Sequence, residues 1–186
     1  MNEFKLYLVL LGCKPNGRNT EQHDIFFGIA KNLSELKESM LNFWKEANGQ
    51  IHIDAWREVQ NVDGYKIEVL PKNEMVSVAK EKLFFINLGG YKQNELEEFH
   101  YKLLTVGTNK GDAIHQAKQT AFYKHTGFKG ATSHVDDKYG VDVDDVYEIS
   151  DILLPQFKQK FSISICKNEN AAEDLLHLGY LKMDKL

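Results

Sequence analysis

Two cysteines in 186 residues, Cys13 and Cys166, cannot build a disulfide framework. They fit a reducing compartment, and cytoplasm is the expected location. Only three prolines occur: Pro15 in a loop, Pro71 opening a charged connection, and Pro155 at the start of a tail. No apolar run approaches the roughly 20 residues of a membrane span, so no membrane partner is expected. Basic residues are not in surplus either. Lys and Arg total 23 against 27 Asp and Glu, a net charge of -4 with the cations scattered, which argues against nucleic acid as a partner. A phosphate loop is missing as well, because GCKPNGR lacks the Gly-Lys-Ser/Thr ending that such a loop needs. What remains is ordinary globular composition, 42% hydrophobic and 27% charged.

The chain repeats a pattern. Leu6 to His23, LYLVLLGCKPNGRNTEQH, is echoed by Leu83 to His100, LFFINLGGYKQNELEEFH, at a constant offset of 77. Leu6, Leu11, Gly12, Glu21, His23 and Asn32 recur as Leu83, Leu88, Gly89, Glu98, His100 and Asn109, which points to an internal duplication. The echo also disposes of a rival reading. Leu10-Leu11-Gly12-Cys13 looks like a lipoprotein cleavage site, but the same pattern in mid-chain cannot be a targeting segment, so both stretches read as strands.

Lys5 to Leu11 predicts a strand buried on both faces, Cys13 to Thr20 a loop, and His23 to Ala30 a second strand. Asn32-Leu33-Ser34-Glu35 is a helix start signal. Leu36, Met40, Phe43 and Ala47 supply the apolar stripe of that helix, and Asn48-Gly49 its end. Ile51 to Val59 and Tyr65 to Leu70 read as third and fourth strands around a turn with Asp63-Gly64 at its tip. The unit is therefore expected to be ββαββ, with the second unit repeating it and Ala113, Ala117 and Ala121 forming its helix stripe. Beyond the second helix the matching offset lengthens to 82. His134, Val135, Asp136, Val141, Asp145, Tyr147 and Ile149 then align with His52, Ile53, Asp54, Val59, Asp63, Tyr65 and Ile67. In the tail, Phe161, Ile163 and Ile165 predict a strand, and Asn170 to Leu176 a capped helix closed by Gly179.

The phrases GCKPNGRNTEQHDIFFGIA and SHVDDKYGVDVDDVYEI resemble the bacterial domain-of-unknown-function family numbered 1543, over roughly Leu6 to Ile152. That resemblance implies one or two copies of the domain per protein. It brings no catalytic residues with it.

Candidate chemistry therefore rests on the residues. Glu21, His23, His52 and Asp54 form one set, and Glu98, His100, His134 and Asp136 its expected counterpart. On a strand, residues two apart share a face, so His52 with Asp54 and His134 with Asp136 each present an imidazole beside a carboxylate. Two histidines and a carboxylate suit a divalent metal, or an acid/base dyad without one. Against both stands the commoner role of such groups, fastening a loop to a strand. Asp136, Asp137, Asp142, Asp144 and Asp145 fall within ten positions, a cluster that could bind a cation but is more often a solvated edge. Cys13, beside Lys14 and near Arg18, is a nucleophile candidate if those cations lower its pKa.

The reading is an α+β protein of two ββαββ units with antiparallel sheets, plus a short C-terminal strand and helix. The expected boundaries are 1–75, 76–154 and 155–186, with the two units sharing an interface. The first function expected is a cytosolic ligand-binding or protein-interaction module without catalysis. The alternative is a metal-dependent or acid/base enzyme acting on a small metabolite. No cofactor is expected unless a divalent metal occupies the His/carboxylate sets, and the partners to test are a second copy and a small molecule.

Overall fold

A computed structural model describes residues 3–73, 80–91, 94–119, 141–168 and 172–186. The chain divides into two units, Met1–Val78 with Leu153–Leu186, and Ala79–Ile152. The tail after the second unit thus returns to the first. The class is α+β, with three antiparallel sheets and a few short helices among the described residues. No helix among the described residues is long and apolar enough to cross a membrane.

In unit 1, β1 (Lys5–Cys13) is central, flanked by β2 (Gln22–Ala30) and β3 (His52–Val59). Tyr7, Val9, Leu11 and Cys13 are buried along one side of β1, while on the other Leu6 and Gly12 are buried but Leu8 and Leu10 are half-buried. The strand is therefore covered more completely on one face than on the other. Helical residues supply that cover. Asn32 caps a 3-10 turn, Leu33–Leu36, its Oδ1 accepting from the Glu35 backbone N–H at 3.2 Å, while Glu35 Oε2 accepts from the Lys31 N–H at 3.1 Å. Helix α1 (Lys37–Phe43) follows, and then a second 3-10 turn, Lys45–Ala47. Of the predicted stripe Leu36, Met40 and Ala47 are buried and Phe43 is half-buried, while Leu33 adds a further buried residue. The end falls at Asn48 and Gly49, whose φ angles of 49° and 76° are the left-handed conformation that these residue types tolerate.

Unit 2 builds the same sheet: β6 (Lys82–Tyr91) is central between β7 (Glu98–Gly107) and β8 (Val141–Glu148). Asn109 caps α2 (Lys110–Ala117), accepting from the Asp112 N–H at 3.1 Å. Ala113 and Ala117 pack into a core with Phe84, Ile86 and Leu88. Ala121 lies outside the described residues.

Three expectations change within this class. First, the Asp63-Gly64 turn does form, between β4 (Asn61–Val62) and β5 (Tyr65–Pro71), but β5 does not run back along β3. Its long partner is β9 (Phe161–Lys167), giving a separate sheet in the order β4-β5-β9. Second, no counterpart of β5 appears among the described residues of unit 2. Ile149–Ile152, aligned by sequence with that strand, is instead a helical turn, α3. Third, the tail has its helix before the strand, as α4 (Pro155–Lys160), with proline in the first turn where its missing N–H costs nothing. Where a closing helix was expected, β10 (His177–Lys182) adds to the free edge of β3. That edge offers a row of backbone donors and acceptors, which a short, partly exposed helix through Leu175 and Leu176 would leave unpaired. Gly179, at φ 124°, sits at the irregularity in this pairing and not at a helix end.

Candidate functional site

The site in unit 1 forms where three neighbouring strands present their ends. Gly12 on β1 pairs with His23 on one side and His52 on the other, which sets two imidazoles across a residue with no side chain. The β1–β3 register slips between Leu10 and Leu11, where Leu10 faces Ala55 and Leu11 faces Ile53, so Asp54 is the extra, bulged residue. Bulges redirect a side chain next to functional sites, and here the carboxylate turns over Gly12. A Cβ at Gly12 would lie 2.4 Å from His52 Nε2 and 2.5 Å from Asp54 Oδ2, so only glycine leaves room there for the imidazole and the carboxylate.

All four expected residues meet. His52 Nε2 is 2.9 Å from Glu21 Oε1 and 3.3 Å from Asp54 Oδ1. His23 Nε2 is 3.2 Å from Asp54 Oδ2 and 3.9 Å from Glu21 Oε2. Each ring nitrogen thus stands between two carboxylates and can give a proton to one of them at a time. Acceptors outnumber donors as a result. Asp54 Oδ2 is buried without a hydrogen-bond partner, because the His23 approach, though close, is not aligned as a hydrogen bond. His52 is nearly buried, 11% exposed, while Glu21 and His23 are open to solvent. The Tyr180 ring of β10 lies 4.4 Å from the His52 ring, and His177 stacks on Trp56 at 3.8 Å. Tyr180 therefore walls the site, a role the sequence hid because its segment read as the end of a helix.

Metal ligation gains no support from this placement. Among the described residues, no group of three or more His, Cys, Asp and Glu side chains could hold a metal ion. Cys13 also departs from expectation. It is buried at the end of β1, and burial together with the nearby Glu21 carboxylate pushes its thiol pKa up, the opposite of an activated nucleophile.

In unit 2 the same construction recurs with different residues. Gly89 pairs with His100 on β7, and the β6–β8 register slips between Asn87 and Leu88, which makes Asp144 the bulged residue. His100 Nδ1 is 3.0 Å from Asp144 Oδ2. A Cβ on Gly89 would come within 2.5 Å of that same oxygen. By strand register, Asp142 and Asp144 occupy the places of His52 and Asp54. His134 and Asp136, aligned with those places by sequence, lie outside the described residues, and Glu98 opens β7 as Glu21 directly precedes β2.

Residues 18–69 match the model of a family described as a Domain of Unknown Function, DUF1543. That match lies within unit 1. The matched stretch contains Glu21, His23, His52 and Asp54, while Gly12 and Tyr180 come from outside it. No curated protein matches the chain. Among solved structures, the crystal structure of a protein Il1583 from Idiomarina loihiensis is similar to it, with a TM-score of 0.66. That likeness covers 97% of this chain and 98% of the other at 18% identity, and shows a shared fold alone.

Proposed function

We propose that this DUF1543-containing protein is a binding module without catalysis, cytoplasmic in location, and that its unit 1 site takes a small, positively charged molecule rich in N–H donors. The observation that carries the reading is the imbalance at Gly12. Four carboxylate oxygens from Glu21 and Asp54 face two imidazole nitrogens, and one of those oxygens is buried without a hydrogen bond. An unsatisfied buried acceptor costs about 1–3 kcal/mol, so a donor arriving there relieves a real penalty. An ammonium group brings up to three donors and the opposite charge. The Tyr180 ring beside His52 offers such a ligand an aromatic wall.

A thermal-shift screen of primary amines and guanidinium compounds tests the reading, since a ligand held only by the native state raises its stability. At 100 times its dissociation constant a true ligand contributes about 2.7 kcal/mol. Asp54→Asn should remove that shift. A screen in which no cation stabilises the protein, or in which the Asp54→Asn variant responds equally, would sink the proposal.

A further inference from the structure

We infer that unit 2 holds a second cation-binding site, built by Asn87, His100 and Asp144, and that it takes the same class of ammonium ligand. The inference rests on the reading of unit 1 for the ligand class, but on its own observations for the place. Among the described residues two buried side-chain polar atoms lack a hydrogen-bond partner, Asp54 Oδ2 and Asn87 Oδ1. One lies in each site. Native proteins leave few such atoms, and each calls for an explanation such as a missing ligand.

The orientation of the Asn87 amide is fixed by its neighbours. Its Nδ2 lies 3.3 Å from Asp145 Oδ2 and 3.3 Å from His100 Nδ1. Turning the amide over would set its oxygen against the Asp145 carboxylate, so Oδ1 remains the atom without a donor. Tyr147 donates its hydroxyl to Asp145 Oδ1 at 3.1 Å, which holds that carboxylate in position. His100 Nδ1 stands between the Asn87 amide and Asp144 Oδ2, and can serve one of them at a time.

Two features separate this site from that of unit 1. Asn87 stands where unit 1 has Leu10, and the place of His52 is taken by Asp142. Among the described residues one imidazole, His100, stands at this site where unit 1 has two. The glycine and the bulge persist in both units. In both units a carboxylate oxygen therefore lies directly over the backbone of the central strand, where only glycine leaves room for it.

The test is a two-dimensional amide NMR titration of the full chain with 1,4-diaminobutane, read separately in the two units. Shifts around Gly89 and Asn87 that saturate, and that Asp144→Asn abolishes while those around Gly12 persist, are the expected result. His100→Gln serves as a second variant should Asp144→Asn perturb folding, and should weaken the unit 2 response at least tenfold. Saturable shifts in unit 1 alone overturn the second site and leave the proposed function standing. Saturable shifts in unit 2 alone support the second site and overturn the unit 1 reading. No response in either unit overturns both, and a unit 2 response undiminished in both variants overturns this assignment of residues.

Discussion

Replacing Gly12 with alanine is the sharpest probe of the unit 1 site. The added methyl would stand 2.4 Å from His52 Nε2 and 2.5 Å from Asp54 Oδ2, separations real carbon atoms do not adopt, so both groups must move. Overpacking of this kind costs about 1–3 kcal/mol. Both obstructing atoms are side-chain tips, which keeps the cost toward the lower end, but His52 is nearly buried and backed by Tyr180, which prevents its being negligible. Alanine in place of glycine also returns about 0.4–1 kcal/mol through the unfolded chain. The net expectation is a loss of about 1 kcal/mol, or roughly 2–4 °C of melting temperature for a chain of this size. Gly17→Ala is the matched control. Its φ of 78° penalises a side chain by about 1–2 kcal/mol, yet nothing lies within 4 Å of the added atom, so stability falls without touching the site. Thermal melts paired with imidazole NMR spectra distinguish the two variants. In Gly12→Ala the His23 and His52 ring signals should move, and in Gly17→Ala they should stay. Unmoved ring signals and an unchanged melting temperature in Gly12→Ala would refute the account of why glycine is there.

Other expectations follow from single residues. Burial raises the Asp174 carboxyl above its ordinary value of 3.8, despite donated backbone N–H groups from Gln60 and Asn61 and the nearby Arg57 charge. A folded pKa above the unfolded one means stability is fullest below pH 3.8 and is lost as pH rises through the folded value. Wild type should therefore lose ground to Asp174→Asn between about pH 3.8 and neutrality in urea unfolding; the opposite trend would contradict the burial argument. Iodoacetamide at pH 8 should label exposed Cys166 well before Cys13 in the native protein, as mass spectrometry of the two peptides would report. Asn109→Ala should cost about 1 kcal/mol by removing the cap on α2, and Asn109→Asp should restore most of it in denaturant melts.

Local signals carried far in this chain. The caps at Asn32 and Asn109, the helix end at Asn48-Gly49 and the Asp63-Gly64 turn are properties of a few consecutive residues, and they form where the residue types require. The convergence of Glu21, His23, His52 and Asp54 was legible too, because period-two geometry and the pairing of neighbouring strands follow from short-range pattern. Sequence matching failed where an insertion broke the offset. Residue identities aligned Asp54 with Asp136, whereas hydrogen-bond register puts Asp144 in its place.

The amino-acid sequence by itself determined the α+β class, the repeated strand, loop and cap, and the four residues of the unit 1 set, since each depends on neighbours within a few positions. Only tertiary structure decided which strand edge β5 and β10 would join, that two aspartates would bulge, and that Tyr180 would reach His52. Strand partners are chosen among all free edges of the folded chain, and competition for those backbone donors and acceptors leaves no mark in a local pattern.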